Sequence, residues 1–235
     1  MSRSVCVVVP IHNQAEYLFR AVSSVVWQLR SDDHLIIVDD GSTDRIDPTD
    51  TDSLLKRARW LSNPTRQGVS YSRNRAVRET STEWIKFLDA DDVLAPFALK
   101  IIHLSEPEYP LNVKVVMGGL HRIHNGRYFD YLHPTQDDID HILEKLPTLP
   151  SATFVRREAL LEVGLFDERL DVEEDWDLWL RIHQRYGPAA FAVVSQPVCY
   201  YWIDDEERAQ KLRAGMVEGV PVREYLRRRY GANPQ

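Results

Sequence analysis

The chain has 235 residues, 43% of them apolar and 28% charged, the balance of a water-facing globular protein long enough to bury a core. Lys and Arg total 29 against 36 Asp and Glu, for a net charge of −7. That excludes a general nucleic-acid binder, because neutralising phosphates needs clustered cations.

No apolar run reaches the roughly 20 residues that span a bilayer. Residues 5–9 are too few for a signal-peptide core and close at Pro10 without a small-residue cleavage site. The expectation is a soluble, cytoplasmic protein. Its two cysteines, Cys6 and Cys199, sit in apolar, strand-like runs and are expected as buried thiols in a reducing compartment.

In chain order, residues 5–9 form a continuous β-branched run, the pattern of a strand buried on both faces. Residues 14–28 bring Ala15, Leu18, Phe19, Val22, Val25 and Val26 to one helical face. Residues 35–38 are a second strand that stops in the turn Asp39-Asp40-Gly41-Ser42. Residues 51–59 read as a helix, 59–61 as a short strand and 68–79 as a helix. Residues 84–88 are a strand ending in Asp89-Ala90-Asp91-Asp92, followed by a helix over 95–104. This alternation predicts an α/β fold with a mostly parallel, Rossmann-like sheet flanked by helices. Ligands of such sheets bind beyond the carboxyl ends of the strands, which is where the polar clusters fall.

The second half is α+β in character. Residues 113–123 and 127–132 predict a hairpin around Asn125-Gly126. A short acidic helix over 137–146 follows, then a strand over 152–155, a helix over 157–163 closed by Gly164, and a helix over 174–186. Strands near 190–194 and 198–203 precede a charged, helix-like tail.

Asp89 and Asp91, two apart at a strand end, point the same way. Such hard oxygen donors suit Mg²⁺ or Mn²⁺, with substrate phosphates completing the shell; the plainer reading is a solvated acidic loop. Asp39 to Asp44 forms a second acidic turn, fit to cap a helix or to accept a hydrogen bond from a ribose or a base.

Several segments together resemble one family. These are Val8-Val9-Pro10-Ile11-His12-Asn13, Ile36-Ile37-Val38-Asp39-Asp40-Gly41-Ser42-Thr43-Asp44, Gly68-Val69-Ser70-Tyr71-Ser72-Arg73-Asn74 and Asp89-Ala90-Asp91-Asp92. Further on come Phe154-Val155-Arg156-Arg157, Gly164-Leu165-Phe166-Asp167-Glu168 and Glu173-Glu174-Asp175-Trp176-Asp177-Leu178-Trp179-Leu180-Arg181. Their order and spacing resemble the family 2 glycosyltransferases over about residues 4–186.

The resemblance implies a GT-A fold and inverting transfer from a nucleoside diphosphate sugar, UDP-sugar by default, to a hydroxyl acceptor. That acceptor would be a sugar or a lipid-linked molecule in polysaccharide, glycolipid or glycoconjugate synthesis. It implies that Pro10, His12 and Asn13 flank the nucleoside, that Asp39 and Asp40 lie at the base, and that Arg73 lies near the base or diphosphate. Asp89 and Asp91 would hold Mn²⁺ or Mg²⁺, mainly through Asp91, with Asp92 beside them. Glu174 and Asp175 would be the acidic pair at the acceptor, with Asp175 the base. Residues 1–104 would be the donor half and 105–235 the acceptor half of one domain.

A helix N-terminus favours the ionised form of Asp175. Trp176 and Trp179 share a face, and either both pack in the core or Trp176 lines the acceptor site. Family members often carry a metal-completing His after the last strand; here no His follows Tyr200-Tyr201-Trp202-Ile203-Asp204-Asp205, so either Asp204, Asp205 or water would stand in, or metal dependence would be weaker. The arginines of the tail, Arg213, Arg223, Arg227, Arg228 and Arg229, read as a solvated face or as a contact with an anionic membrane surface. A homodimer stays open. Rival readings are a nucleotidyltransferase, disfavoured by the absence of Gly and Lys from Pro10-Ile11-His12-Asn13-Gln14, and a non-catalytic nucleotide-sugar-binding subunit.

Overall fold

The computed structural model describes residues 3–44, 54–104, 109–124, 126–202, 215–217 and 219–231. At its centre β1 (Val5–Ile11) pairs in parallel with β2 (His34–Asp39) and with β4 (Trp84–Phe87), and β2 carries β3 (Arg59–Ser62) at the edge. Every residue of β1 is buried, because both faces of the sheet are covered. Val5, Val7 and Val9 face α1 (Ala15–Val26), while Cys6 and Val8 face the side of α2 (Val69–Glu79). The period of two along a strand therefore feeds two separate cores. Both cysteines are buried and free, and burial pushes the Cys6 thiol up to about 12.

The main sheet runs β3-β2-β1-β4-β8-β6-β9-β5, with β7 on the outside of β6. It uses β5 (Val93–Leu94), β6 (Val115–His124), β7 (Arg127–Leu132), β8 (Thr153–Arg156) and β9 (Phe191–Trp202). Through β3-β2-β1-β4 it is parallel; β8 is antiparallel to both β4 and β6, and β6 and β9 are parallel to each other. The carboxyl ends of β1, β2, β4, β6 and β9 thus open on one edge. The predicted hairpin forms as β6–β7.

Several boundaries move. The two strands expected near 190–194 and 198–203 are one strand, β9, whose register against β6 shifts on either side of Gly119. A Cβ on Gly119 would lie 2.0 Å from the Tyr131 hydroxyl, so the backbone closes there without a side chain. The helix expected over 95–104 shrinks to α3 (Lys100–His103), because Val93 and Leu94 pair with β9 and Phe97 takes a left-handed φ of 65°. The acidic helix is α4 (Gln136–Asp140), closed at its start by reciprocal bonds between Thr135 and Asp138. Helix α5 (Arg157–Glu162) ends before Gly164 at φ 86°. Of the helix expected over 51–59, Leu55–Arg57 form a single 3-10 turn, and 51–53 lie outside the described residues.

Helix α6 (Glu174–Tyr186) and the C-terminal helix α7 (Val222–Gly231) complete the α2-side core. Trp176 and Trp179 are both buried there, and their indole N–H groups donate to Ile142 O (2.6 Å) and Thr148 O (3.3 Å). The acceptor-lining reading of Trp176 is thereby corrected: its ring packs in the core. In the described part of the tail Arg223, Arg227, Arg228 and Arg229 are exposed, as a solvated face requires, while Val222 and Leu226 on the other side are buried and Arg229 and Tyr230 reach Asp177. Arg213 lies outside the described residues. No helix among the described residues is long and apolar enough to cross a membrane.

Trp176→Ala is expected to cost about 3–5 kcal/mol of unfolding free energy, measured by urea titration. A loss below 1 kcal/mol would contradict its place in the core.

Candidate functional site

The carboxyl ends of β1 and β2 are clasped together. Asp40 N donates to Ile11 O (2.8 Å), and the His12 ring Nδ1 lies 2.9 Å from Asp40 O. Asn13 takes a left-handed φ of 54°, which Asn tolerates. From there its Oδ1 accepts from the backbone of Thr43 (2.7 Å) and Asp44 (3.3 Å), while its own N–H donates to Ser42 Oγ (3.1 Å). Asp44 Oδ2 accepts from Ala15 N (2.8 Å) and so caps the start of α1. Asp39 Oδ1 accepts from Ser42 N (2.9 Å) and closes the turn. Pro10 is buried past the last β1–β4 pair, Val8↔Phe87, where its missing N–H breaks no rung on that side.

Asp40 has a structural task that its motif does not announce. Its carboxylate accepts from Asn63 Nδ2 (2.7 Å), Gln67 N (2.8 Å) and Gly68 N (2.8 Å), with the residue only 4% exposed. Gly68 begins α2 at φ 100° without a side-chain cap of its own. Asp40 therefore caps α2 from a distant strand, placing a negative charge at the positive end of that helix.

Helix α2 delivers Arg73 and Asn74. Asn74 Oδ1 accepts from Phe166 N (2.9 Å) and its Nδ2 donates to Phe166 O (2.9 Å) and Glu168 Oε1 (2.8 Å), fixing the segment before α6. The Arg73 guanidinium is 2% exposed and donates to Asp89 Oδ1 (2.7 Å) and Glu174 Oε1 (2.8 Å). Burial alone would lower Arg73, but Asp89 and Glu174 overcome it and hold the cation charged. Arg73 thus joins the acidic motif after β4 to the acidic pair on α6.

Asp175 is buried in the first turn of α6, its Oδ1 accepting from Trp176 N (2.8 Å). Burial, then the charges of Glu174 and Glu173, push its carboxyl well above the ordinary 3.8. The dipole argument from sequence is overturned here, because desolvation and two neighbouring carboxylates outweigh the helix terminus.

After β4 the three aspartates part. Asp89 is half-buried, with its backbone N–H on Ser151 Oγ (3.2 Å). Asp91 is half-buried, with its carbonyl held by Arg20 Nη2 (2.7 Å). Asp92 folds back through its N–H to Asp89 O (3.0 Å) and is 1% exposed. Neither Asp92 carboxylate oxygen has a hydrogen-bond partner, and burial with the charges of Asp89 and Asp91 raises it far above the ordinary carboxylate range. Asp92 lies in the interior, where Ser151, Lys86 and Cys199 are its other polar neighbours. Lys86, not singled out from sequence, is fully buried, donates to Phe87 O (2.7 Å) and Ser151 O (2.5 Å), and is pushed down to about 8 by burial. A Lys inside an apolar strand is the signal that marks it.

Among the described residues no three His, Cys, Asp or Glu side chains converge as a closed metal cage. Asp89 and Asp91 nonetheless fit a hard cation, because Mg²⁺-type sites use one or two carboxylates and leave the other positions to substrate phosphates and water. Asp204 and Asp205, named from sequence as stand-ins for a further ligand, lie outside the described residues.

A family model described as glycosyl transferase family 2 matches residues 6–162. The chain belongs to this family. Similar proteins include an uncharacterized glycosyltransferase of Haemophilus influenzae, 25% identical over 201 residues that cover 83% of this chain and 66% of that protein. The pre-mycofactocin glycosyltransferase of Mycobacterium tuberculosis is 29% identical, covering 80% of this chain and 42% of that one. An uncharacterized glycosyltransferase of Rickettsia conorii is 25% identical over 76% of this chain, and the chain spans only 30% of its length. Among solved structures, Staphylococcus aureus TarS 1-349 superposes with a TM-score of 0.67 at 19% identity, over 95% of this chain and 69% of that one. Mannosyltransferase PcManGT of Pyrobaculum calidifontis, in complex with GDP-Man and Mn2+, gives 0.61 at 19% identity, over 89% and 60%. The fold of this family 2 chain is accordingly GT-A.

Arg73→Met is expected to destabilise the protein by about 3–5 kcal/mol, since it leaves Asp89 and Glu174 without their shared cation. Chemical denaturation checks this, and an unchanged midpoint would contradict the bridge.

Proposed function

We propose that this family 2 chain transfers a sugar from a nucleoside diphosphate sugar to a hydroxyl acceptor, with inversion at the anomeric carbon. The observation that carries this reading is Arg73, which touches Asp89 on the donor side and Glu174 on the acceptor side. Residues 1–104 supply the donor half and 105–235 the acceptor half.

The nucleoside lies against Pro10, His12 and Asn13, with its base toward Asp39 and Asp40. Among the described residues Asp40 Oδ2 receives Gly68 N alone and keeps capacity for a base N–H. UDP is the expected nucleotide; TarS has been solved with UDP-GlcNAc and PcManGT with GDP-Man, which supports the nucleotide-sugar class. Asp91 and Asp89 would hold Mn²⁺ or Mg²⁺. That cation, when bound, offsets charge on the departing diphosphate.

Asp175 takes the proton of the acceptor hydroxyl as that oxygen attacks. A carboxylate in water is a weak base, and burial beside Glu174 and Glu173 makes Asp175 a stronger one. Glu174, held on Arg73, fixes the first turn of α6 beside it. Acceptors of the sugar or lipid-linked type, and with them polysaccharide, glycolipid or glycoconjugate synthesis, follow from the family. Peripheral contact with the inner face of a membrane is proposed for the basic tail, whose Arg223, Arg227 and Arg228 are exposed.

Asp175→Asn is expected to lower the transfer rate by about 10²–10⁴-fold while leaving UDP affinity unchanged, and Asp91→Ala is expected to abolish transfer. Transfer by Asp175→Asn at the parent rate would remove Asp175 as the base. In the parent, the rate rises with pH as Asp175 loses its proton, so the acid limb lies above the ordinary 3.8 of an aspartate. A limb at or below that value would contradict the assignment.

A further inference from the structure

We propose that helix α7 braces the base: Arg223 fixes Glu173 and thereby the rotation of the turn carrying Asp175, which makes Arg223 and Glu173 positioning residues for transfer. The inference rests on the assignment of Asp175 made above. Both α6 and α7 lie beyond residues 6–162, the part matched by the family model.

Glu173 immediately precedes α6 with a left-handed backbone, φ 58° and ψ 20°. That conformation is uncommon for a residue with a long side chain. Its side chain does not cap its own helix. Instead Oε1 accepts from Arg223 Nε at 2.7 Å, while Oε2 is buried without a hydrogen-bond partner. The Glu173 side chain is 3% exposed and that of Arg223 is 56% exposed. The cation therefore reaches in from solvent to a carboxylate that the fold has otherwise stranded.

A second contact lies one turn further on. Asp177 is fully buried and accepts from Tyr230 Oη (2.7 Å) and Arg229 Nη1 (3.4 Å) of α7, and from Arg181 Nε (2.8 Å) of its own helix. Val222 and Leu226 anchor α7 in the shared core.

The spacing gives these contacts their consequence. Positions four apart stack on one helical face, and a position two along points to the other side. Asp177 faces α7 from within α6, so Asp175, two positions earlier on the same helix, is turned away from it, and Glu173 reaches α7 from just outside the helix. The charges acting on Asp175 are Glu173 and Glu174 from its own chain segment and Arg73 from α2, with Arg223 offsetting Glu173. A small rotation of this turn would misdirect the base, and misplacement of about 1 Å costs up to roughly 100-fold in rate.

The test compares Arg223→Ala, Arg223→Lys and Glu173→Gln with the parent protein. Asp175 is titrated by carboxyl-carbon NMR, and kcat and donor KM are measured across pH. Arg223→Ala is expected to move the Asp175 titration and the acid limb of kcat to higher pH, because Glu173 is left uncompensated. Glu173→Gln is expected to move both to lower pH. Each is expected to lower kcat about tenfold or more with donor KM unchanged, and Arg223→Lys is expected to restore most of the rate. The brace is overturned if neither variant moves the Asp175 titration. It is also overturned if rates fall only with the folded fraction and Lys does not rescue. The NMR titration needs no turnover, so a parent protein without transfer would sink the proposed function while the titration still decides the brace.

Discussion

The Arg73 guanidinium, buried between Asp89 and Glu174, is the constraint on which the rest of the site depends. Two carboxylates from distant parts of the chain would repel each other in a poorly hydrated cleft. One buried cation with two donor edges offsets that repulsion and sets their separation. The arrangement costs desolvation, and replacing all three side chains together by well-packed apolar ones can be as stable, whereas removing the cation alone is not. What an apolar substitute cannot do is hold a donor-side and an acceptor-side carboxylate at a fixed spacing.

The surrounding fold serves that joint. Helix α2 must start where Arg73 reaches both partners, and Asp40, at the end of β2, sets that start by accepting from Gln67 N and Gly68 N. Asn74, the next residue along, pins Phe166 and Glu168, which brings the chain into α6. One turn of α2 therefore ties the parallel half of the sheet to the helix that carries Asp175. From behind, α7 holds the opposite face of α6 through Glu173 and Asp177.

Much of this was legible in the sequence because the signals are local. Residues 5–9 are continuous and β-branched, so a strand covered on both faces was the only economical reading. Asp89 and Asp91 announce themselves as an acidic cluster just past β4, although residues 90–91 form a turn and not the extended strand end that the two-residue spacing assumed. Gly164 and Gly126 mark chain reversals. The failures are non-local. The role of Asp40 toward Gln67 and Gly68 depends on β2 and α2 meeting in space. Trp176 was ambiguous because amphipathic spacing does not say whether an indole faces core or cleft. Asp92 sits beside two half-exposed aspartates, and only the turn back to Asp89 O shows that it is buried. The dipole reading of Asp175 failed because sequence does not report desolvation. The tail reads as a charged surface helix and its arginines are exposed, but its ion pairs to Glu173, Asp167 and Asp177 were not legible because those partners lie far away in sequence.

The most direct measurement is calorimetric titration of the protein with UDP and with GDP, each with and without Mn²⁺. One nucleotide is expected to bind, with Mn²⁺ tightening its binding, because a cation held by Asp91 and Asp89 would also be shared with the diphosphate. Absence of binding by either nucleotide under both conditions would contradict the donor site at the ends of β1, β2 and β4.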